Sequence, residues 1–339
     1  MIAIRNAKIV AIMMVAILGL ASCRETTSES ERPSAWSIQT SDRAGSCKVA
    51  THAWGETELC QTPQRIIALD SQSLDLLLTL GIDPIGYAED NRALVGSPQL
   101  GKPVEAVKYL GQYLKQPPLH VGTWQTPSQE TMLKLKPDLI LSTSLDEGQY
   151  RLFSKIAPTL LPITSWDNPQ QWKENLAFLA TVMARPEIAD SFLKNHAAKV
   201  KRIKAQLAES SDQRILLLSM SGLDRIDIFT NKTFPGSILT ELGLDLIVPE
   251  RAIAGDGAIP ISLETLPQLK PDRIIVMASG KSKVEQLQAL WASNPILKSL
   301  PSYRAQKMQV VDYHLWNRIQ GPKSAELILS QVKDWMLPQ

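Results

Sequence analysis

The chain has 339 residues, of which 44% are hydrophobic. This length exceeds what one compact domain normally contains and provides apolar material for two cores. The 36 basic and 34 acidic residues give a formal net charge of +2, so no excess of positive charge indicates a nucleic-acid partner. We therefore expect two lobes and no binding to nucleic acid.

The N-terminus, MIAIRNAKIVAIMMVAILGLASC, has the pattern of a secretion signal. Two basic residues precede a charge-free run from Ile9 to Ser22, which is shorter than the roughly 20 apolar residues of a membrane-spanning helix. The run ends in LASC, which resembles the lipobox of bacterial lipoproteins. We predict a signal peptide over residues 1–22 and lipid, such as palmitate, on Cys23. An ordinary signal cleaved near Ala21 is the alternative.

The segment after the predicted anchor is polar. Residues 23–46 are rich in serine and threonine and have no apolar periodicity, so we predict a flexible tether. Cys47 and Cys60 are the remaining cysteines, and in an exported protein we expect them to form a disulfide ahead of the first strand. Their spacing does not fit a zinc knuckle, so no metal site is predicted.

Two halves of the sequence have the same order of elements. In the first half, RIIALD (65–70) reads as a strand, LDLLLTLG as a helix that ends at Gly81, and IDPIGYAED as a second strand. In the second half, RILLLS (214–219) is followed by the helix GSILTELGL (236–244) and by DLIVPE. Strand, helix and strand in this order indicate a parallel sheet, so we predict an α/β lobe in each half.

A closely similar unit then occurs in both halves, as SQETMLKLKPDLILS (128–142) and SLETLPQLKPDRIIV (262–276). Ser128 and Ser262 have the position of helix N-caps. Glu130 and Glu264 follow in the first helical turn, where a carboxylate stabilises the helix dipole. That effect would explain a single glutamate. Two glutamates at matching positions indicate instead that each lobe presents one negative charge to a partner protein that has two-fold symmetry.

Between the halves lies a helical region, residues 168–210. WKENLAFLATVM has an apolar stripe at helical spacing. A second helix is predicted from Pro186 to Glu209, since proline favours the first helical position and the apolar residues recur at about 3.6-residue spacing. The lobes are then residues 47–167 and 211–339, joined by a rigid helical brace.

The sequence gives no indication of an enzyme. GKS (280–282) lacks the glycine that a phosphate-binding loop places five positions earlier. MSG (220–222) lacks the first glycine of a hydrolase nucleophile elbow. The four histidines, at positions 52, 120, 196 and 314, are scattered and form no HExxH motif. We predict no catalytic residues.

The lipobox, RIIALDSQSLDLLLTLGIDPIG, the two SxE…KPD units, FPGSILTELGL and VDYHLWNRIQGPKSAELIL together resemble the substrate-binding lipoproteins of ABC importers for ferric siderophores, cobalamin and haem. The resemblance implies two three-layer α/β lobes with mostly parallel sheets, joined by one long rigid helix, with the ligand cleft between them. It also implies that Glu130 and Glu264 dock arginines of the two permease subunits.

A ferric siderophore is the favoured ligand because the siderophore itself chelates the iron. The protein then need not supply iron ligands, which agrees with its low content of histidine and cysteine. No cofactor is expected. Arginine and aromatic residues on the strand-end loops are the candidates for ligand contact. They are Tyr87, Arg92, Trp124, Trp166, Arg225, Arg251, Tyr313, Trp316 and Arg318. The strongest candidates for ligand contact are those that lie next to a clearly predicted helix or strand, namely Trp124, Arg225 and Arg318.

The sequence thus predicts a monomeric lipoprotein, held on the outer face of the cytoplasmic membrane, that carries a ferric siderophore to an ABC permease dimer. Haem is the first alternative cargo, with His120, Tyr109 or Tyr113 as iron ligands. Cobalamin is the next, since it would suit an aromatic cleft. An exported enzyme on the same scaffold and a purely structural lipoprotein are the alternatives from other classes.

Overall fold

The computed structural model describes residues 37–41, 47–52, 54–89, 94–96, 98–162, 168–208, 214–249 and 257–337. The predicted signal peptide and Cys23 lie outside these ranges. Among the helices within them, none combines the length and the apolar character needed to cross a membrane.

A three-stranded antiparallel sheet precedes the first lobe. Its strands are β1 (Ser37–Ser41), β2 (Cys47–His52) and β3 (Gly55–Leu59), with β2 in the centre. β1 lies inside the segment that was predicted to be a tether. The prediction missed this strand because its sequence SIQTS has no apolar pattern, and it is a strand through backbone pairing with β2. Cys47 and Cys60 form a disulfide that joins the outer ends of the β2–β3 hairpin.

The hairpin is joined to the first lobe by Thr57, and His52 orients the Thr57 hydroxyl. The backbone N–H of Trp54 lies 3.3 Å from His52 Nδ1, and His52 Nε2 lies 2.9 Å from Thr57 Oγ1. The Thr57 hydroxyl donates to the carbonyl of Thr159 at 2.7 Å, so it accepts from a proton on His52 Nε2. Burial lowers the pKa of His52 to about 4, and the imidazole is neutral at pH 7.

This neutral histidine predicts a loss of stability in acid. The unfolded chain takes up a proton near the ordinary pKa of 6.5 and the folded chain only near 4, so the free energy of unfolding falls as pH decreases through that window. We expect the wild type to lose about 2 kcal/mol more than His52→Gln between pH 7 and 4.5. Urea denaturation of both proteins at both pH values measures this difference, and equal losses would contradict it.

The N-lobe has a five-stranded parallel sheet in the order β10-β9-β4-β5-β8. Its elements are β4 (Ile66–Ala68), α1 (Ser71–Thr79), β5 (Gly86–Tyr87), β6 (Leu94–Val95), β7 (Ala106–Val107), β8 (Leu119–His120), α2 (Gln129–Leu135), β9 (Leu139–Leu141), α3 (Glu147–Phe153) and β10 (Thr159–Leu160). β6 and β7 form a separate antiparallel pair.

Two helices follow the N-lobe, as predicted. They are α4 (Gln171–Val182) and α5 (Pro186–Ala208). The 23-residue α5 begins at the predicted proline and buries one stripe that includes Ala189, Ile203 and Leu207. At 1.5 Å per residue it is about 35 Å long, enough to extend along both lobes.

The C-lobe has a sheet in the order β14-β12-β11-β15-β16, with β13 also paired to β11. Its elements are β11 (Arg214–Ser221), β12 (Arg225–Phe229), α6 (Phe234–Glu241), β13 (Asp245–Leu246), β14 (Ala258–Ile261), α7 (Leu266–Leu269), β15 (Arg273–Ala278), α8 (Val284–Ser293), α9 (Pro295–Ser299), α10 (Pro301–Arg304), β16 (Met308–Asp312) and α11 (Pro322–Met336). β12 and β14 are antiparallel to their neighbours and the other strands are parallel.

Alternating side chains of the first strand in each lobe enter two different cores. In β4, Ile66 and Ile67 belong to separate buried clusters, and in β11 the same holds for Leu217 and Leu218. Each sheet is therefore covered on both faces, which is the three-layer arrangement. Ile66 and Leu217 share one continuous cluster with residues of α4, α5 and α11, so the lobes and their connecting helices have a common core.

Asp75 connects the N-lobe to the C-terminal helix. Its buried carboxylate accepts the backbone N–H groups of Lys323 and Ser324, at 2.8 and 2.9 Å, where α11 begins. A Cβ atom at Gly321 would lie 2.6 Å from this carboxyl group, so a side chain at position 321 would push the two elements apart. The contact joins residues almost 250 positions apart and fixes α1 against α11.

Candidate functional site

A cavity of about 800 Å³ lies between the two lobes. The N-lobe contributes Leu94, Lys108 and Tyr109 from the connection between β5 and β8. The C-lobe contributes residues 278–285 after β15, and four residues after β16, namely Asp312, Tyr313, His314 and Arg318. Ligands of α/β proteins bind outside the carboxyl ends of parallel strands, and the volume is within the usual range for small molecules. This cavity is the candidate ligand site.

The turn Ser279–Lys283 forms one wall of the cavity. Gly280 has φ +62°, and a Cβ atom there would lie 2.2 Å from Ser221 Oγ. The hydroxyl of Ser282 accepts the backbone N–H of Gly222 at 3.1 Å. These contacts hold the turn against the end of β11, so the side chains on either side of Ser282 have a fixed backbone. This is the GKS segment that the sequence excluded as a phosphate-binding loop.

The end of β16 forms the neighbouring wall. A π-helical turn, His314–Arg318, follows the strand, a feature often found at functional sites. The Tyr313 hydroxyl accepts a hydrogen bond from Asn317 Nδ2 at 2.8 Å, and its ring packs edge-on against Phe229. Tyr313 is therefore held in place, while the exposed Arg318 side chain projects at the cavity.

One side-chain hydrogen bond crosses the cavity. The Tyr109 hydroxyl donates to Asp312 Oδ2 at 2.8 Å, and Asp312 Oδ1 accepts the backbone N–H of His314 at 2.8 Å. Burial, together with the charge of Asp312, raises the pKa of Tyr109 well above its ordinary value, so the phenol stays protonated. Tyr109 has φ +62°, which costs energy for a residue with a side chain and is offset by this contact between lobes.

The structure brings together only part of the predicted ligand-binding set. Tyr313 and Arg318 line the cavity. Trp124 is half-buried after β8, and the exposed Arg225 at the start of β12 donates from Nε to Asp227 at 2.9 Å. Arg92, Trp166 and Arg251 lie outside the described residues.

Tyr87 and Trp316 are buried in this structure, and neither lines the cavity described above. Tyr87 is 0% exposed and its hydroxyl bonds to Ser71 and Glu89. Trp316 is 1% exposed and its indole N–H donates to Gln331. The sequence placed these rings at strand ends but did not show that both side chains turn into the core.

Other residues at the site were not predicted. Lys108, Lys281, Lys283 and Asp312 line the cavity, although the sequence search considered arginines and aromatic residues alone. Trp54 does not line this cavity but is also exposed, at 41%, at the tip of the β2–β3 hairpin, where its indole N–H donates to the carbonyl of Leu145 beyond the carboxyl end of β9. The alternation in KVATH and ETEL around Trp54-Gly55 is a hairpin signal that could have identified it.

The three residues considered as haem ligands do not converge. His120 is buried in β8, and burial lowers its pKa. The Tyr113 ring is covered by Lys323 Nζ at 4.0 Å, and Tyr109 is bonded to Asp312. Elsewhere, Cys47, Glu58 and Cys60 are close enough to share a metal ion, but both sulfur atoms are already joined in the disulfide.

The two repeated units have matching geometry. Ser128 caps α2 through a bond from the N–H of Thr131, and Ser262 has the N-cap position, without such a bond, of a 3₁₀ turn, Leu263–Thr265, that precedes α7. Glu130 and Glu264 follow in the first turn of each unit, and both side chains are exposed.

The matching continues at the end of each unit. Lys136 and Lys270 both have φ +46°. The following aspartates, Asp138 and Asp272, each accept the backbone N–H of the arginine before the first strand of their lobe. In each unit the aspartate therefore attaches the repeat to the sheet of its lobe. As a result, Glu130 and Glu264 have the same local backbone surroundings.

The family described as periplasmic binding protein matches residues 66–314. The Fe(3+)-citrate-binding protein YfmC of Bacillus subtilis is 26% identical over 322 residues, covering 94% of each chain. The Fe(3+) dicitrate-binding periplasmic protein FecB of Escherichia coli is 29% identical over 294 residues, covering 84% of this chain and 91% of that protein.

Solved structures have the same fold. The petrobactin-binding protein YclQ of Bacillus subtilis superposes with a TM-score of 0.71 at 20% identity, covering 86% of this chain and 99% of that one. Staphylococcus aureus SirA complexed with staphyloferrin B gives 0.66 at 23% identity, covering 85% and 97%. The fold defines a two-lobed binding protein. The chain belongs to the periplasmic binding protein family.

Proposed function

We propose that this protein captures a ferric siderophore in the cavity between its lobes and delivers it to an ABC importer permease. The observation that carries the proposal is the cavity itself, which the N-lobe lines from the connection between β5 and β8, which the C-lobe lines from the carboxyl ends of β15 and β16, and which presents an exposed arginine. Relatives that cover most of this chain are named as binding proteins for ferric citrate, achromobactin and ferric anguibactin, which supports an iron chelate as the cargo.

The protein works outside the cytoplasm and is held at the membrane by lipid on Cys23. The N-terminal sequence supports this location, as do relatives named as periplasmic proteins or lipoproteins. Each acyl chain contributes about 0.8 kcal/mol per buried CH₂ group, so two or more chains retain a monomer on the outer face of the membrane.

Glu130 and Glu264 dock the loaded protein on the permease. Their exposure and their matched settings in two lobes support contact with two related subunits. Arginine is the expected partner, since it forms charge-assisted, bidentate hydrogen bonds with carboxylates.

Binding to ferric chelates tests the proposal directly. Quenching of tryptophan fluorescence is titrated with ferric citrate, a ferric trihydroxamate, a ferric tris-catecholate, haem and cobalamin. We expect at least one ferric chelate to bind. Saturable binding of haem or cobalamin alone, or of none of the five, would contradict the proposal.

Arg318→Gln should weaken binding of the preferred chelate by about tenfold, since it removes a charged donor from the cavity. The melting temperature should not change, because no described residue hydrogen-bonds to this side chain. Arg202→Gln, on the exposed face of α5, is the matched control and should bind as the wild type does. Equal affinities of the two variants would exclude Arg318 from the ligand site.

A further inference from the structure

We propose that Lys281 and Lys283, together with Arg318 and Lys108, form a cationic subsite that selects negatively charged ferric chelates with peripheral carboxylates. This inference rests on the proposed function and names the class of chelate that the cavity takes. It assigns a role to the GKSK segment (280–283), which neither the sequence patterns nor the family resemblance singled out for binding.

The backbone of the turn holds both lysines in position. Ser282, between them, is bonded through its hydroxyl to the N–H of Gly222 and through its own N–H to the carbonyl of Ser279 at 3.0 Å. The N–H of Lys283 donates to Gln286 Oε1 at 3.0 Å, which fixes the junction with α8. The two ammonium groups therefore project from an ordered turn at the cavity wall, and little backbone entropy is lost when they bind an anion.

Among the described residues, the cationic groups of the cavity have no acidic partner. No carboxylate of the described residues forms an ion pair with Lys108, Lys281, Lys283 or Arg318. Lys281, Lys283 and Arg318 are exposed, and Lys108 reaches the cavity from the opposite lobe. A ligand between the lobes would meet positive charge on both sides.

The acidic groups at the cavity do not cancel this charge. Asp312 is occupied by the Tyr109 hydroxyl and by the N–H of His314. Glu285 lies in the first turn of α8, where it interacts favourably with the positive end of its own helix. Two acids face four cations among the described lining residues, which leaves a surplus of two positive charges.

Carboxylate is the anionic group that fits these residues best. Lysine ammonium groups bind compact oxygen anions as point charges, and Arg318 can take a carboxylate in a bidentate geometry. A catecholate complex is also anionic but exposes aromatic rings, which favour aromatic partners. The aromatic rings of the described lining are Tyr109, Tyr313 and His314, and each already packs against another ring: Tyr109 stacks on His314, and Tyr313 packs edge-on against Phe229. A trihydroxamate complex has no negative charge to attract.

The double variant Lys281→Gln with Lys283→Gln tests the subsite in the full-length protein. Affinities for ferric citrate, a ferric trihydroxamate and a ferric tris-catecholate are measured at 50 and 300 mM salt. The wild type should prefer ferric citrate, and the double variant should bind it at least tenfold more weakly with a smaller salt dependence. Binding of the trihydroxamate should be unchanged.

Lys298→Gln with Lys333→Gln is the matched control, because it removes two exposed lysines of the same lobe outside this cavity. A tenfold loss in the control as well, or full affinity for ferric citrate in the test variant, would overturn the subsite. Preference of the wild type for the trihydroxamate or the tris-catecholate would overturn the carboxylate class while leaving the proposed function intact. Failure to bind any of the three chelates would remove the proposed function itself.

Discussion

Replacing Asp75 by alanine should lower the free energy of unfolding by about 3 kcal/mol at pH 7, a large effect for the loss of one polar side chain. The substitution removes the acceptor of two backbone hydrogen bonds and leaves the N–H groups of Lys323 and Ser324 buried at the start of α11. It also empties space beside Gly321, where no side chain is available to fill it.

The effect should depend on pH. Burial raises the pKa of Asp75 to about 6 from the ordinary 3.8, although the backbone donors oppose this shift. Between these values the folded protein binds more protons than the unfolded chain, so the wild type gains stability as pH falls from 6 towards 4. The alanine variant lacks this gain. The difference in stability between the two proteins should therefore widen by about 1 kcal/mol per pH unit in that range.

Urea denaturation of the wild type and the variant at pH 7 and pH 5 measures both quantities. Asp190→Ala is the control, since Asp190 is an exposed acid on α5, and its substitution should change stability by less than about 0.5 kcal/mol. A similarly small change for Asp75→Ala would mean that the contact between α1 and α11 adds nothing to stability.

Reversing the charge at both docking glutamates should nearly abolish uptake. Glu130→Lys combined with Glu264→Lys is expected to lower transport of the preferred ferric chelate by about 100-fold, because each lysine would face the arginines proposed on the permease. Affinity for the chelate should stay within about twofold of the wild type, since neither glutamate lines the cavity between the lobes.

The two single variants should differ. Lys134 forms an ion pair with Glu130 at 2.6 Å, whereas Gln268 occupies the equivalent position of the second unit. Glu264 is thus the less neutralised of the two, and Glu264→Lys alone should impair uptake more than Glu130→Lys alone.

Transport into membrane vesicles or cells, with chelate affinity measured in parallel, provides the test. Glu187→Lys is the matched control, because Glu187 is also an exposed acid in the first turn of a helix. Its uptake should equal that of the wild type. Weakened binding of the chelate in the double variant, rather than weakened uptake, would show that the glutamates support the fold or the cavity instead of docking.

The elements with a strong local pattern were predicted correctly. α5 begins at the predicted proline and continues to Ala208, the last described residue before Glu209, because its apolar stripe continues over six turns. Strands β4, β11 and β15 are apolar runs bounded by polar residues, and their existence followed from that pattern.

Elements that form only through contact with distant parts of the chain were not predicted from the sequence. β1 is polar and is a strand only because β2 pairs with it. β12 and β14 are short antiparallel strands in a stretch that had no clear pattern, and they pair with β11 and with each other. The second repeat begins with a 3₁₀ turn rather than a continuous helix, since Pro267 has no N–H to donate to the carbonyl of Leu263, four residues earlier, as a continuous α-helix would require.

The two α/β halves, their repeated SxE…KPD units and the helix that joins them could be predicted from local patterns, since periodicity and end signals act over a few neighbouring residues. Which polar groups meet at the cavity depends on how distant elements pack. Tyr109 and Asp312 are 203 positions apart, and Lys108 reaches the same space as Lys281 because the lobes pack with their strand ends together. The same packing turned Tyr87 and Trp316 into the core, a choice that depends on sheet order and shared burial and is invisible to any local pattern.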